Sequence, residues 1–187
     1  MSLENETEIW YAVRTFNQKE MLISDFLQKK NIPHFIPMIY KEKMTEGKKR
    51  ERILVPVVHN LLFFRHFAEY AEMRTVLAEC TIPMNVMKWA DSTEWCPISA
   101  REMNEFRLFC DPEYKGTRYV SEEEVEAKVG KSICVITGQF KGMTGKLVRY
   151  GNQYFVVKTL AGLGVLLRIP RWYCKVVDDD NTKDAKH

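Results

Sequence analysis

The sequence lacks long apolar segments and any segment typical of secretion. Its longest apolar runs, such as 61–64 and 165–167, are far shorter than the roughly 20 residues that a membrane-spanning helix needs. Acidic residues stand near the N-terminus, where a secretion signal would carry lysine followed by an apolar stretch. We therefore expect a cytoplasmic protein with no membrane partner.

The cysteines form no pattern that indicates a crosslink or a metal. There are five of them, an odd number, and they lie far apart without a single CxxC pair. This arrangement fits neither a disulfide framework nor a zinc site. We expect free thiols, no metal ligands and no other cofactor.

Catalytic signatures are missing as well. The sequence contains no HExxH, GxSxG or P-loop pattern, and the four histidines lack metal-ligand spacing. No candidate nucleophile stands beside a base. His59 and His66 flank an apolar run and are expected to be structural histidines. The sequence therefore predicts a protein that is not an enzyme and has no catalytic residues.

Acidic residues are absent from a long C-terminal stretch. Residues 128–177 carry nine Lys or Arg and no Asp or Glu, whereas residues 1–110 carry fifteen of each sign. Such a stretch has a positive potential that attracts polyanions, so nucleic acid or an acidic protein is the expected partner. Several aromatic residues lie among these cations and either pack in a core or stack on bases. They are Tyr150, Tyr154, Phe155, Trp172 and Tyr173.

Residues 9–110 alternate strand and helix patterns. β-branched and aromatic residues predict a first strand at 9–15, followed by an amphipathic helix capped by Asn17. Ser99 and Glu102 form a capping box that opens a later helix. Further strands are predicted at 34–43, 60–65 and 85–89, and a further helix at 68–80. The pattern predicts an α+β domain, an α/β sandwich of an antiparallel sheet flanked by helices.

The run 60–65 is apolar on both faces of its predicted strand. Alternation places Leu61 and Phe63 on one face and Leu62 and Phe64 on the other. One face must meet the core, and the other needs a partner.

Residues 41–52 carry mixed charge around Gly47, which predicts the tip of a hairpin. Its cations either contact nucleic-acid phosphates or are simply solvated. The candidate nucleic-acid-binding residues are Lys48, Lys49, Arg50 and Arg52.

The C-terminal part predicts a linker, a barrel and a tail. Residues 111–127 include Pro112, Gly116 and an acidic run, and we interpret them as a linker. Residues 128–177 contain five short β-like runs separated by glycines and Pro170, which predict a small five-stranded β-barrel. Within it, 130–145 is either a hairpin turn or a binding loop. The polar tail 178–187 is expected to be disordered.

Taken together, these residues resemble the NusG family of transcription elongation factors, particularly its specialised paralogues of the RfaH and UpxY kind. Trp10-Tyr11, Pro37-Met38-Ile39, 60–64 and Pro97-Ile98-Ser99 are similar to landmarks of the family's N-terminal (NGN) domain. Residues 138–145, GQFKGMTG, are similar to the KOW signature, with Gln139 replacing the usual proline. The resemblance implies that the C-terminal barrel is SH3-like.

The resemblance also implies a mechanism. In the family, the N-terminal domain binds the clamp helices of bacterial RNA polymerase through an apolar patch, and thereby suppresses pausing and termination. Here we expect an outward-facing patch at Leu61 and Phe63, with Tyr11, Arg14 and His66 as further polymerase-binding residues.

The KOW loop residues implied by the resemblance are Gly138, Phe140, Lys141, Gly142 and Gly145. We expect Lys141 to recruit a partner and Phe140 to hold the loop to the barrel. Further expected partners are non-template DNA or nascent RNA, and a ribosome or termination factor through the KOW domain. The β-branched sequence from Ser132 onward favours a permanent barrel that does not switch fold.

The leading hypothesis is therefore an antitermination factor that acts on selected operons, those for surface polysaccharide in the manner of UpxY proteins. Two alternatives stay open: a general elongation factor of the NusG type, and a KOW-barrel protein that binds ribosomal RNA.

Overall fold

The structure is a computed structural model that describes residues 8–44, 50–114, 116–121, 124 and 130–177. The chain forms two compact units that divide between Asn104 and Glu105, a few residues before the boundary that we place at 110 from the sequence. Within the described ranges, no helix is both long enough and apolar enough to cross a membrane. The predicted tail 178–187 lies outside the described residues.

In chain order the first elements are β1 (Ile9–Thr15), α1 (Glu20–Lys29), β2 (His34–Phe35), β3 (Met38–Met44), β4 (Arg50–Pro56), β5 (Leu61–Arg65), α2 (Tyr70–Ala78), β6 (Met84–Val86), β7 (Pro97–Ser99) and α3 (Ala100–Phe109). The division between the two units falls within α3. The N-terminal unit is built on an antiparallel sheet with strand order β2-β5-β1-β6, and β7 pairs with β1 beside β6. The adjacent strands β3 and β4 form a separate two-stranded hairpin. The predicted strand at 34–43 is split at Pro37, which has no N–H to donate to a ladder.

Helices α1 and α2 bury one face of this sheet. Ile23 and Leu27 of α1 and Met73 and Leu77 of α2 belong to one cluster of buried side chains with residues of β1 and β5. The β1 and β5 residues in the cluster are Tyr11, Val13, Leu62 and Phe64. The predicted antiparallel sheet flanked by helices is confirmed.

Of the two helix N-termini predicted from the sequence, that of α3 is confirmed and that of α1 is not. The Glu102 amide donates to Ser99 Oγ at 3.2 Å, and the Ser99 amide donates to the Glu102 carboxylate at 3.1 Å, so the predicted capping box is present. The prediction for α1 is wrong: its N-cap is Lys19, and no side chain caps it. Asn17 instead adopts the left-handed conformation, at φ 55°.

The C-terminal unit contains a six-stranded antiparallel sheet. Its strands are β8 (Thr117–Ser121), β9 (Lys131–Val135), β10 (Thr144–Tyr150), β11 (Gln153–Leu160), β12 (Leu163–Arg168) and β13 (Cys174–Val176), in the order β13-β9-β10-β11-β12-β8. The five β-like runs predicted from the sequence lie at 132–137, 145–150, 154–160, 164–169 and 173–177. Strands β9 to β13 match them to within two residues at each end.

The linker predicted at 111–127 needs correction at β8. Tyr119 pairs with Val165 of β12, and Val120 packs against the buried cluster of Val148 and Phe155. The acidic run at 122–124 dominates the composition of this segment and hides a short strand of β-forming residues.

Gly145 lies where β10 meets β11 too closely for a side chain. A Cβ at this position would lie 2.6 Å from the Val157 carbonyl oxygen and 2.8 Å from a Val156 methyl carbon. Because a backbone carbonyl cannot move aside cheaply, we expect Gly145→Ala to destabilise the protein by about 1–3 kcal/mol. Urea denaturation measures this loss, and the exposed neighbour Lys146→Ala is the control. Equal stability of the two variants would contradict the packing described here.

Candidate functional site

The candidate site is built on the antiparallel pair of β1 and β5. The paired residues are Trp10 with Arg65, Tyr11 with Phe64, Ala12 with Phe63, Val13 with Leu62, and Arg14 with Leu61. Directly paired side chains share a face of the sheet. Arg14, Leu61 and Phe63 therefore lie on the face opposite α1 and α2, while Tyr11 lies on the helix-covered face.

The outward-facing apolar patch that we expect at Leu61 and Phe63 is not present in the structure. Leu61 is 6% exposed, and Phe63 is 0% exposed with its ring centroid 6.4 Å from that of Phe35. The two residues do lie on the predicted face, but the prediction that they face solvent is wrong. Alternation identifies the side of a strand on which a residue lies, whereas it carries no information on whether that side is covered.

Tyr11 and His66 meet at the other end of the strand pair. The Tyr11 hydroxyl lies 3.3 Å from His66 Nδ1. Burial, with a smaller contribution from the nearby Tyr70 phenol, raises the pKa of Tyr11, so the phenol stays protonated and able to donate this bond. His66 itself is exposed, while Tyr11 is buried. The buried Tyr11 hydroxyl therefore holds the exposed His66 imidazole in position at the surface.

A cavity of about 660 Å³ adjoins His66. Arg65 lines it and pairs with Glu8, with 2.7 Å between Nη1 and Oε1. Glu69 and Phe67 also line it, so the cavity offers both charged and apolar contacts.

The five residues assigned to polymerase binding do not form one patch. Arg14 and His66 are exposed, but they lie at opposite ends of the strand pair. Tyr11, Leu61 and Phe63 are buried. Only Arg14 and His66 can touch a partner in this structure.

A buried carboxylate, which the sequence does not single out as a site residue, fixes the entry to β5. Glu20 is 1% exposed and accepts hydrogen bonds from His59 Nδ1 at 2.9 Å and from the Asn60 amide at 3.2 Å. Burial alone would raise the pKa of Glu20, but the His59 hydrogen bond and the backbone amides lower it below its usual value. Asn60 adopts φ 67°, and its side-chain oxygen accepts from the Gln18 amide at 2.9 Å. These contacts tie the start of α1 to the turn before β5.

The hairpin of β3 and β4 pairs its cations with acids and rings. Arg50 lies 3.5 Å from Glu42, and the Arg52 guanidinium lies 4.2 Å from the centroid of the Tyr40 ring. Arg50 and Arg52 are both exposed. They lie two positions apart on β4, so their side chains are on the same face of the hairpin. Lys48 and Lys49 lie outside the described residues.

The loop between β9 and β10 buries its aromatic residue and exposes its lysine. Phe140 is 7% exposed, and its ring centroid lies 5.1 Å from that of Tyr114 and 6.3 Å from that of Phe109. Lys141 is exposed at the turn. Gly138 and Gly142 have φ of 82° and 91°, a conformation that a residue with a Cβ adopts only with strain. Gly145, described above, lies in β10.

Residues 8–107 match the family model described as "Transcription termination factor nusG". The match covers the β1–β5 pair, the hairpin of β3 and β4, and most of α3. A comparison with curated proteins found no match to the chain.

Proposed function

The chain belongs to the NusG family, and from this premise we propose that it is a transcription elongation and antitermination factor. It binds RNA polymerase through the N-terminal unit and suppresses pausing and termination on selected operons, those for surface polysaccharide. The family match over residues 8–107 is the observation that carries the proposal, because it covers the unit that the family uses to bind polymerase.

The polymerase contact is proposed at Arg14 and His66. Both side chains are exposed at the ends of the β1–β5 pair, and the Tyr11 hydroxyl supports the His66 imidazole. Leu61 and Phe63 are left out of the contact surface, because a partner cannot touch side chains that are 6% and 0% exposed.

Charge reversal at Arg14 is expected to weaken binding to purified RNA polymerase by about tenfold, since an exposed interfacial cation steers association and fixes register. His66→Ala is expected to weaken it as well, by removing the imidazole that adjoins the cavity. Biolayer interferometry with immobilised polymerase measures both variants. The control is Lys29→Glu, which reverses an exposed cation at the end of α1.

Two results would count against the proposal in different ways. If Arg14→Glu and His66→Ala bind as the unaltered chain does, the contact lies on another surface. If the unaltered chain does not bind polymerase and instead sediments with ribosomes, the function is that of a ribosomal RNA-binding protein with a KOW barrel.

The β3–β4 hairpin is proposed to contact non-template DNA or nascent RNA through Lys48, Lys49, Arg50 and Arg52. The exposure of Arg50 and Arg52 on one face supports this role. Against it stands the pairing of Arg50 with Glu42, which reduces the charge that a phosphate meets.

The C-terminal unit is proposed to be an SH3-like KOW domain with Lys141 as its partner-binding residue. Its support is the exposed position of Lys141 on a loop that Phe140 anchors. The ribosome and a termination factor are the proposed partners. A general elongation factor of the NusG type is the alternative function, and it differs only in the number of operons served.

A further inference from the structure

The C-terminal unit carries a groove on the sheet face that is opposite the cluster of Val148 and Phe155. The groove has a volume of about 640 Å³ and lies between β9, β10, β11, β13 and the 3-10 turn at Arg171–Tyr173. We call it the Trp172 groove. Its cationic and aromatic lining residues are Lys131, Arg149, Tyr154, Arg171 and Trp172.

Two aromatic rings line the Trp172 groove. Trp172 is 78% exposed and meets the Tyr173 ring edge-on at a centroid distance of 6.3 Å. An indole with this much free apolar surface is unusual in a folded protein, where tryptophan is mostly buried. The Tyr154 ring is half-buried in the same groove.

Two guanidinium groups flank the Tyr154 ring. Arg149 lies 6.0 Å from the ring centroid and Arg171 lies 5.6 Å from it. The turn after β10 holds Arg149 in place, because its Nε donates to the Gly151 carbonyl at 2.9 Å and its Nη2 donates to Asn152 Oδ1 at 3.4 Å. The remaining N–H donors of both guanidinium groups suit a ligand that carries negative charge.

No described carboxylate pairs with these cations. Residues 128–177 contain no Asp or Glu, and in the part of the chain that the structure describes neither Arg149 nor Arg171 nor Lys131 forms an ion pair. The Trp172 groove therefore combines aromatic rings with cations that have no acidic partner among the described residues.

We propose that the Trp172 groove binds single-stranded nucleic acid. One base stacks on the Trp172 indole, and Arg149 and Arg171 contact the flanking phosphates. Aromatic platforms beside backbone-binding cations are the usual means by which proteins hold unpaired strands. This contact lies outside the polymerase-binding surface proposed above and outside the β3–β4 hairpin.

The rings distinguish this ligand from the other polyanions. An acidic peptide would use the cations but has no flat base to cover the indole. A duplex keeps its bases stacked inside, so it cannot offer one to Trp172 either. The exposed Trp172 indole, in one groove with the two arginines beside the Tyr154 ring, therefore favours an unpaired strand.

The test is fluorescence anisotropy of the full chain with fluorescein-labelled oligo(U) RNA and oligo(dT) DNA of about eight nucleotides, a length typical of such sites. We expect Trp172→Ala to weaken binding by about tenfold, the loss of one stacked base. Because the Trp172 side chain is largely exposed, the thermal stability of the Trp172→Ala variant should match that of the unaltered chain. Arg149→Ala should also weaken binding and flatten its salt dependence.

Lys146→Ala is the matched control for charge. Lys146 lies on β10, three residues before Arg149, and therefore on the opposite face of the sheet from Arg149. It pairs with Val157, whereas Arg149 pairs with Tyr154. It should change affinity by less than twofold. A preference for RNA would assign the ligand to transcripts, and a preference for DNA to an exposed DNA strand; both support the proposal.

Three outcomes overturn the proposal: unchanged affinity of Trp172→Ala, equal loss in Lys146→Ala and Arg149→Ala, or displacement of the oligonucleotide by oligoglutamate of the same charge. None of these outcomes bears on polymerase binding, which is measured without oligonucleotide. The two proposals therefore fail separately.

Discussion

Replacement of Phe63 by alanine is expected to lower the free energy of unfolding by about 3–5 kcal/mol, the usual cost of truncating a buried aromatic side chain. Phe63 is 0% exposed and pairs with Ala12 at the centre of the β1–β5 ladder. Urea denaturation followed by circular dichroism measures the loss. It also decides how any polymerase-binding defect of a Phe63 variant is interpreted, because an unfolded unit binds nothing.

Phe16→Ala is the matched control for Phe63→Ala. Phe16 immediately follows β1 and is 49% exposed, so its truncation removes the same atoms with little loss of burial. We expect a cost below about 1 kcal/mol there, as for most surface substitutions. Similar costs for the two variants would mean that Phe63 is accessible after all, and would restore the exposed patch expected from the sequence.

Removal of the Glu20 carboxylate is expected to cost about 2 kcal/mol, because Glu20→Ala leaves the Asn60 amide and His59 Nδ1 without their acceptor. His59 is half exposed, so water recovers part of its loss. Thermal denaturation measures the effect. The control is Glu79→Ala, which removes an exposed carboxylate paired with Lys30 and should change stability little.

The Glu20 contribution depends on pH in a defined direction. Hydrogen bonds lower the pKa of Glu20 in the folded protein despite its burial. The unfolded chain therefore binds this proton at higher pH than the folded chain, and the stabilisation is present above the ordinary glutamate pKa and lost as the pH falls through the lowered value. Glu20→Gln should flatten this acid-side loss. An identical pH profile in Glu20→Gln would show that Glu20 does not titrate in this way.

Local patterns were sufficient to predict much of the fold. β-branched and aromatic residues predict β1, the apolar run 60–65 predicts β5, and the Ser99 to Glu102 spacing predicts the start of α3. Glycine-separated β-branched runs predict the strands from β9 to β13. In each case the signal lies within a few neighbouring residues.

The features that the sequence did not predict depend on contacts between distant residues. The coverage of Phe63 is set by tertiary packing, and the pairing of Glu20 with His59 joins residues 39 positions apart. Strand β8 exists because Tyr119 and Val120 find β12. The Trp172 groove likewise gathers residues from four strands and a turn, so each of its members looks ordinary in the sequence.

Transcript sequencing with and without the gene tests whether this NusG-family chain acts on transcribing polymerase, as we propose. We expect deletion to remove promoter-distal reads in one or a few operons while promoter-proximal reads stay unchanged. A genome-wide loss of distal reads would instead indicate a general elongation factor. Identical read profiles along every operon would contradict the claim.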